Sequence, residues 1–133
     1  MPTTRITIIR SRKPLKSDLN QDLQWLCQSL GLFSDRDKDR SMFRIFIEML
    51  KAARQKHPLT SDQMAYRTGL SRGTVVHHIN KLINAGLITY DQKAYFLRVE
   101  NLEVLIDEIQ SDLMRTLDKM RGAAKRIDTE LGL

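Results

Sequence analysis

Residues 70–88, LSRGTVVHHINKLINAGLI, carry the clearest structural pattern in this chain. Apolar side chains recur every three or four residues around Val75, which is the spacing of an amphipathic helix. Ser71 is placed to cap such a helix at its start, and Gly86 ends it. We therefore predict a helix over residues 72–85 with one aliphatic, inward-facing side.

The opposite side of this helix is polar and carries no acidic residue, which phosphate groups would repel. In the major groove of DNA, Arg pairs with guanine, Asn with adenine, and Val contacts the methyl group of thymine. The sequence therefore predicts a recognition helix for double-stranded DNA. The residues that we expect to face DNA from this helix and its cap are Ser71, Arg72, Gly73, Thr74, Val76, His77, Asn80 and Lys81.

Two further helical patterns precede the recognition helix. Residues 41–57 carry apolar side chains at helical spacing until Pro58 stops the pattern, and Leu59 is expected to make a one-residue strand contact. Thr60-Ser61-Asp62 supplies capping groups for a helix of about eight residues, and Gly69 suits its C-terminal end. This short helix and the recognition helix, joined by a turn that contains Gly69, predict a helix-turn-helix.

A β-hairpin is predicted directly after the recognition helix. Residues 87–90 and 94–99 are strand-like runs separated by Asp91-Gln92-Lys93. A hairpin in this position is the wing of a winged helix, and we expect Lys93, near its tip, to reach a phosphate.

The segment 70–88 resembles the recognition helix and first wing strand of winged helix-turn-helix transcriptional regulators of the ArsR type, a prokaryotic kind of regulator. The matching positions are Ser71, Thr74-Val75, His77-His78, Leu82 and Ala85-Gly86-Leu87. The resemblance covers about residues 41–99. It implies that Ser71 caps the recognition helix, that the exposed residues after it touch DNA, and that Ala85-Gly86-Leu87 turns the chain into the wing.

The chain departs from the metal-sensing members of that family, because its second helix lacks a cysteine pair. The single cysteine, Cys27, excludes an internal disulfide and a cysteine-clustered zinc site, and we expect it to be a small buried apolar residue. Adjacent histidines such as His77 and His78 point about 100° apart on a helix, unlike the i, i+4 pair that chelates a metal from one face. We therefore predict no metal and no cofactor.

The N-terminal region, residues 1–40, is predicted to hold a basic strand, a helix and a linker. Residues 5–10 form a β-branched strand candidate that pairs with the main domain or with another chain. An amphipathic helix is expected from Ser17 to near Gly31, and the alternating charges of residues 35–40 indicate an exposed linker. The basic residues of a possible phosphate arm are Arg5, Arg10, Arg12 and Lys13, for which a merely solvated surface is the equal alternative.

Charge divides unevenly along the chain. Of 133 residues, 22 are basic and 16 acidic, a net charge of +6, but residues 1–99 hold 17 basic and 8 acidic residues while residues 100–133 hold 5 and 8. The basic part therefore suits a polyanion, and the acidic tail suits self-association.

The tail, residues 100–133, shows near-heptad spacing over about 30 residues, with one extra residue between Ile109 and Leu117. A helix about 45 Å long exceeds what a domain of residues 41–99 can cover, so we expect it to pair with a second copy. Packing back onto the helix at 17–31 is the alternative. The residues expected in the dimer interface are Ile106, Ile109, Leu113, Leu117, Met120, Ala124, Ile127 and Leu131.

The fold class predicted from these patterns is mainly α with a small β-hairpin (α+β): a winged helix-turn-helix with a long C-terminal dimerisation helix and an N-terminal strand and helix extension. The function predicted is a homodimeric, sequence-specific DNA-binding transcriptional regulator. We find no membrane span and no secretory signal, so the cytoplasm is the expected location. A protein-interaction module in a larger nucleic-acid-associated assembly is the alternative; RNA binding ranks third, and no residue set indicates an enzyme.

Overall fold

A computed structural model describes residues 4–16, 18–33 and 40–133. The described residues form five helices and one two-stranded antiparallel hairpin, which confirms the predicted winged helix-turn-helix of the α+β class. In chain order the elements are α1 (Leu19–Ser29), α2 (Ser41–Gln55), α3 (Ser61–Thr68), α4 (Arg72–Asn84), β1 (Ile88–Asp91), β2 (Ala94–Leu97) and α5 (Leu102–Leu131).

Local capping groups set the boundaries of the helix-turn-helix. The Thr60 hydroxyl accepts a hydrogen bond from the Gln63 amide at 3.2 Å, and the Gln63 side chain accepts one from the Thr60 amide at 3.0 Å, forming a capping box for α3. Gly69 ends α3 at φ 71°, a left-handed conformation that favours glycine. The Ser71 hydroxyl accepts from the Thr74 amide at 3.1 Å and starts α4. These caps lie where the sequence predicts them.

The core joins all the helices and the hairpin. Val75, Ile79 and Leu82 of α4 are fully buried, as the apolar spacing of that helix predicts. They belong to one cluster with apolar residues of α1, α2 and α3, of both strands and of the first turns of α5. Each large buried side chain contributes about 1.5–3 kcal/mol relative to an exposed position, so the shared cluster fixes α4 rigidly relative to its neighbours.

The wing is a tight hairpin held to the helices by one extra contact. Its strands pair Ile88 with Leu97 and Tyr90 with Tyr95. Gln92 and Lys93 both have positive φ, 49° and 64°. A two-residue hairpin turn whose twist matches that of the strands requires positive φ at both positions. Asp91, expected in the turn, lies in β1 instead, and residues 98–99 lie beyond the end of β2. The predicted one-residue contact of Leu59 is confirmed, since Leu59 bridges Tyr95.

The predicted strand at residues 5–10 is wrong. The segment is extended, but its backbone bonds reach helix ends rather than a strand: the Arg5 amide donates to the Asn84 carbonyl and the Ile9 amide to the Ser29 carbonyl, both at 2.8 Å. Carbonyls in the last turn of a helix lack intrahelical partners, so they offer acceptors that need no neighbouring strand. The segment therefore packs on its own domain.

The helix α1 begins at Leu19, two residues after the predicted start at Ser17. Asp18 is the N-cap and accepts from the Gln21 amide at 2.8 Å, whereas Ser17 lies outside the described residues. The expected linker at 35–40 also lies outside them, except for Arg40. Gly31 has a positive φ of 75°, and a Cβ there would meet Thr7 at 2.7 Å, so glycine lets the N-terminal segment approach α1 closely.

Candidate nucleic-acid interface

The outer side of α4 is open to solvent. Arg72, Gly73, His77, Asn80 and Lys81 are exposed along it. The flanking side chains Thr74 and Val76 are half-buried. Outside the α4 backbone and the two neighbouring residues, no described atom lies within 4 Å of the position that a Cβ on Gly73 would take. The polar residues predicted for DNA contact thus share one accessible surface.

Ser71 has a different place from the others. Its hydroxyl caps α4 and also donates to the Thr74 hydroxyl at 2.8 Å. Both Ser71 hydrogen bonds go to Thr74, so Ser71 fixes the first turn of α4.

An acidic side chain that the sequence reasoning missed lies beside this surface. The Arg72 Nε atom is 3.5 Å from a carboxylate oxygen of Asp62, which comes from the first turn of α3. Both side chains are largely exposed, 72% for Arg72 and 78% for Asp62, so the pair is weak and solvent-screened. No spacing in the sequence reveals it, because the turn between α3 and α4 brings the two residues together.

Tyr66 is a second missed residue. It is 90% exposed on α3, whereas Met64 and Thr68 on the same helix are buried. Helical spacing could have predicted this exposure. Residues two apart on a helix lie about 200° apart, so Tyr66 lies on the outer side when Met64 is buried. Neighbouring Arg67 approaches Glu48 of α2 at 3.9 Å.

The wing offers one cation and a pair of tyrosines. Lys93 is exposed at the hairpin turn. The Tyr90 and Tyr95 rings lie 4.9 Å apart on paired positions of the two strands. Burial, and secondarily the neighbouring Tyr90, raises the pKa of Tyr95 above its ordinary value, so its phenol stays protonated at neutral pH.

The basic N-terminal residues do not form one cluster with α4. Arg5 is joined through its backbone to Asn84 at the end of α4, but the Lys13 ammonium lies 5.8 Å from the centre of the Trp25 ring on α1. The Trp25 indole donates to the Ser11 carbonyl at 3.3 Å, which holds this part of the segment along α1. All four arm residues, Arg5, Arg10, Arg12 and Lys13, are exposed.

Cys27 lies in the core, and His77 and His78 are neighbours on α4. Cys27 is fully buried, and burial raises the pKa of its thiol to about 12, which keeps it protonated. The His77 and His78 rings lie 5.4 Å apart and tilted by 57°. In the part of the chain that the structure describes, no group of three or more His, Cys, Asp or Glu residues is arranged to hold a metal ion.

The tail helix α5 is only partly covered by its own domain. Ile109, predicted in the dimer interface, is 4% exposed and belongs to the core of its own chain together with Leu105. Leu113 is half-buried. The other predicted interface residues are exposed: Ile106, Leu117, Met120, Ala124, Ile127 and Leu131.

Arg98 ties the end of the wing to α5. Its guanidinium lies 2.7 Å from Asp112 and 3.2 Å from Glu108. The hydrogen bond from Arg98 lowers the pKa of the Asp112 carboxyl below its ordinary value, and the same bond raises the pKa of Arg98. The first half of α5 is thereby fixed to the helix-turn-helix.

Comparison with known families agrees with this geometry. The family described as "Bacterial regulatory protein, arsR family" matches residues 47–90. Residues 47–90 form an ArsR-type helix-turn-helix domain. The match runs from α2 into β1 and includes all of α3 and α4, so it spans the polar surface described above. Searches of curated proteins and of solved structures gave no match.

The ArsR-type match assigns this domain to DNA-binding transcription regulation. It does not extend to α1 or α5, which flank the domain in the same core. Within the described residues, no helix is both long enough and apolar enough to cross a bilayer.

Proposed function

We propose that the protein is a homodimeric, sequence-specific transcriptional regulator that places α4 in the major groove of DNA. The observation that carries this proposal is the outer side of α4, which is polar, exposed and free of acidic residues on an ArsR-type domain. A helix presented in this way fits the width of the major groove.

Three exposed side chains of α4 are suited to reading bases. Asn80 can donate to and accept from an adenine edge, and Arg72 can form two hydrogen bonds to guanine. His77 lies between them on the exposed side and supplies a further donor or acceptor. Val76, half-buried at the edge, suits a thymine methyl group.

Phosphate contacts come from the periphery of the domain in this proposal. Lys81 flanks the outer side of α4, and Lys93 stands at the tip of the wing. Arg5 lies at the C-terminal end of α4 through its backbone bond to Asn84. Arg10, Arg12 and Lys13 run along α1 rather than α4, so we assign them a weaker share of the phosphate contacts.

The dimer is proposed to form through α5. Beyond Ile109 the helix keeps an exposed apolar stripe that includes Leu117, Met120, Ile127 and Leu131. A soluble chain rarely leaves a continuous apolar surface of this length uncovered. A second copy of the same stripe covers it and supplies two recognition helices for a palindromic site.

The regulator acts by binding in this proposal, without catalysis, and its place of action is the cytoplasm, where the DNA of a prokaryotic cell lies. The test is selection of bound sequences from a random duplex pool. We expect an enriched palindrome whose half-sites are about one helical turn apart. A pool without any enriched sequence would contradict sequence-specific regulation.

A second candidate, a protein-interaction module in a nucleic-acid-associated assembly, is favoured by one observation. The wing presents the exposed apolar residues Tyr90 and Phe96 but only Lys93 as a cation at its turn. In that case the selection yields no palindrome, and the double substitution Tyr90→Ser with Phe96→Ser abolishes capture of a protein partner while leaving DNA affinity unchanged.

A further inference from the structure

A cleft of about 520 Å³ lies between the C-terminal end of α2 and the second strand of the wing. Its floor is apolar and includes the buried side chains of Met49, Ala52 and Leu97. Because Ala52 and the adjacent Ala53 are small, α2 fills little of this space. Sites for small organic molecules measure roughly 300–1,000 Å³ and are lined mainly by hydrophobic and aromatic side chains. The cleft therefore has the size and the lining of such a site.

Aromatic side chains of β2 form part of the wall. Tyr95 is half-buried and Phe96 is exposed, and both line the cleft. Met49 adds a thioether, which makes favourable contacts with aromatic rings. Pairs of aromatic rings stabilise a contact beyond what the buried area alone contributes. These lining groups favour a flat aromatic occupant over an aliphatic one.

The charges around the cleft favour an uncharged occupant. The ionisable residues that line it are Lys56, His57, Arg98 and Glu100. Arg98 is already paired with Asp112 and Glu108 of α5, at 2.7 and 3.2 Å. Lys56 and Glu100 are exposed and opposite in sign. A charged ligand would meet only a solvent-screened counter-ion there, while burial of its own charge on the apolar floor is costly.

Backbone hydrogen bonds fix the walls of the cleft at both ends. At one end the Tyr95 amide donates to the Leu59 carbonyl at 2.8 Å, and the Leu59 amide donates to the Tyr95 carbonyl at 3.4 Å. At the other end the Arg98 amide donates to the Leu87 carbonyl at 3.0 Å. A ligand that enters a cleft with fixed walls orders few protein groups, which favours its affinity.

We propose that the cleft between α2 and β2 binds a flat, uncharged aromatic molecule. This site goes beyond the proposed DNA binding, and its occupant would lie against the hairpin that carries Lys93 at its turn. Ligand binding is measured without DNA, so the ligand site and the proposed function can fail separately.

Titration of the unmodified protein with 2-naphthol, followed by amide NMR shifts, tests the site. We expect saturable binding of one molecule per chain, with the largest shifts at residues 49–58 and 95–100. The anion 2-naphthoate, similar in size, should bind at least about tenfold more weakly. Absence of saturation, shifts confined to the exposed side of α5, or tighter binding of 2-naphthoate would overturn the proposal.

Substitution of Ala53 tests the position of the ligand. Ala53→Phe places a ring in the cleft, so we expect 2-naphthol to bind at least about tenfold more weakly because its space is taken. Ala53→Ser keeps the space open and is the matched control, with unaltered affinity. Equal affinity of the Phe and Ser variants would contradict a ligand in this cleft.

A second variant keeps the test informative if Ala53→Phe does not fold. Phe96→Ala removes one exposed ring from the wall, and we expect an affinity about threefold lower, the share of one aromatic contact. Tyr66→Ala removes an exposed ring on α3, outside the cleft, and should leave the affinity unchanged. An unaltered affinity of Phe96→Ala would contradict the aromatic wall.

Light scattering distinguishes a ligand site from a contact with a second copy of the chain. The mass of Ala53→Phe in solution should equal that of the unmodified protein. A change in that mass, together with no binding of 2-naphthol to the unmodified protein, would assign the cleft to a second copy and overturn the proposal.

Discussion

Asp62 lies 3.5 Å from Arg72 across the turn that joins α3 to α4, which places a carboxylate at the edge of a surface otherwise free of acids. In the proposed complex the Arg72 guanidinium would exchange this carboxylate for an anionic or guanine acceptor on DNA. Because both side chains are exposed, breaking the pair costs little. In that complex the Asp62 carboxylate would stay near the phosphates after Arg72 turns away.

Replacing Asp62 by Asn is therefore expected to strengthen DNA binding severalfold, on operator and scrambled sequence alike, because a charge that repels phosphate is removed. Fluorescence anisotropy at several salt concentrations measures this change. Asp118→Asn on α5 is the control and should leave affinity unaltered. Equal or weaker binding by the Asp62 variant would show that Asp62 lies away from the duplex.

Asn80→Ala tests base readout by α4. We expect a loss of about 1–3 kcal/mol on the selected sequence and a much smaller loss on scrambled DNA, since a bidentate contact to adenine discriminates by that amount. Affinities for both duplexes provide the comparison. If the two losses are equal, Asn80 holds the phosphate backbone only.

Leu117→Asp tests the stripe on α5. Two carboxylates would be buried against apolar partners, so the expected result is conversion of dimer to monomer by light scattering. Lys119→Asp, about 200° away on the same helix, is the control and should remain dimeric. An unaltered mass of the Leu117 variant would remove this stripe from the interface.

The contact between Arg98 and Asp112 predicts a pH-dependent stability. The folded state holds the pKa of Asp112 below its unfolded value, so this contribution is complete above the unfolded pKa and is lost as pH falls through the folded pKa. Arg98 stays charged throughout that range, because its pKa is raised.

Asp112→Asn should therefore lower the free energy of unfolding by about 1 kcal/mol at pH 7, a value limited by partial exposure of the pair. The difference from the unmodified protein should shrink as pH falls below about 4. Urea unfolding at pH 7 and below about pH 4 measures this difference in the free energy of unfolding. A difference that persists unchanged at low pH would mean that packing, rather than charge, is lost.

Much of the fold follows from local signals in the sequence. Thr60, Gly69 and Ser71 act within one turn of their own position, so capping and left-handed conformations were predictable. The side of α4 that packs on the core followed from the apolar periodicity around Val75, which is fully buried.

What the sequence did not reveal depends on contacts between distant segments. Residues 5–10 have strand-like composition, yet the acceptors they meet belong to helix ends, at Ser29 and Asn84. Composition cannot tell these partners from a strand edge. Similarly, Ile109 follows the spacing of the exposed stripe on α5, but α5 touches its own domain there, so the residue became core.

Whether α4 reads a specific DNA sequence is tested most directly by the affinity of the unmodified protein for its selected duplex and for a scrambled duplex, followed across salt concentration. We expect a preference for the selected duplex of at least about a thousandfold at physiological salt. Equal affinities that fall together as salt rises would contradict sequence-specific reading by α4, since binding would then be to phosphate alone.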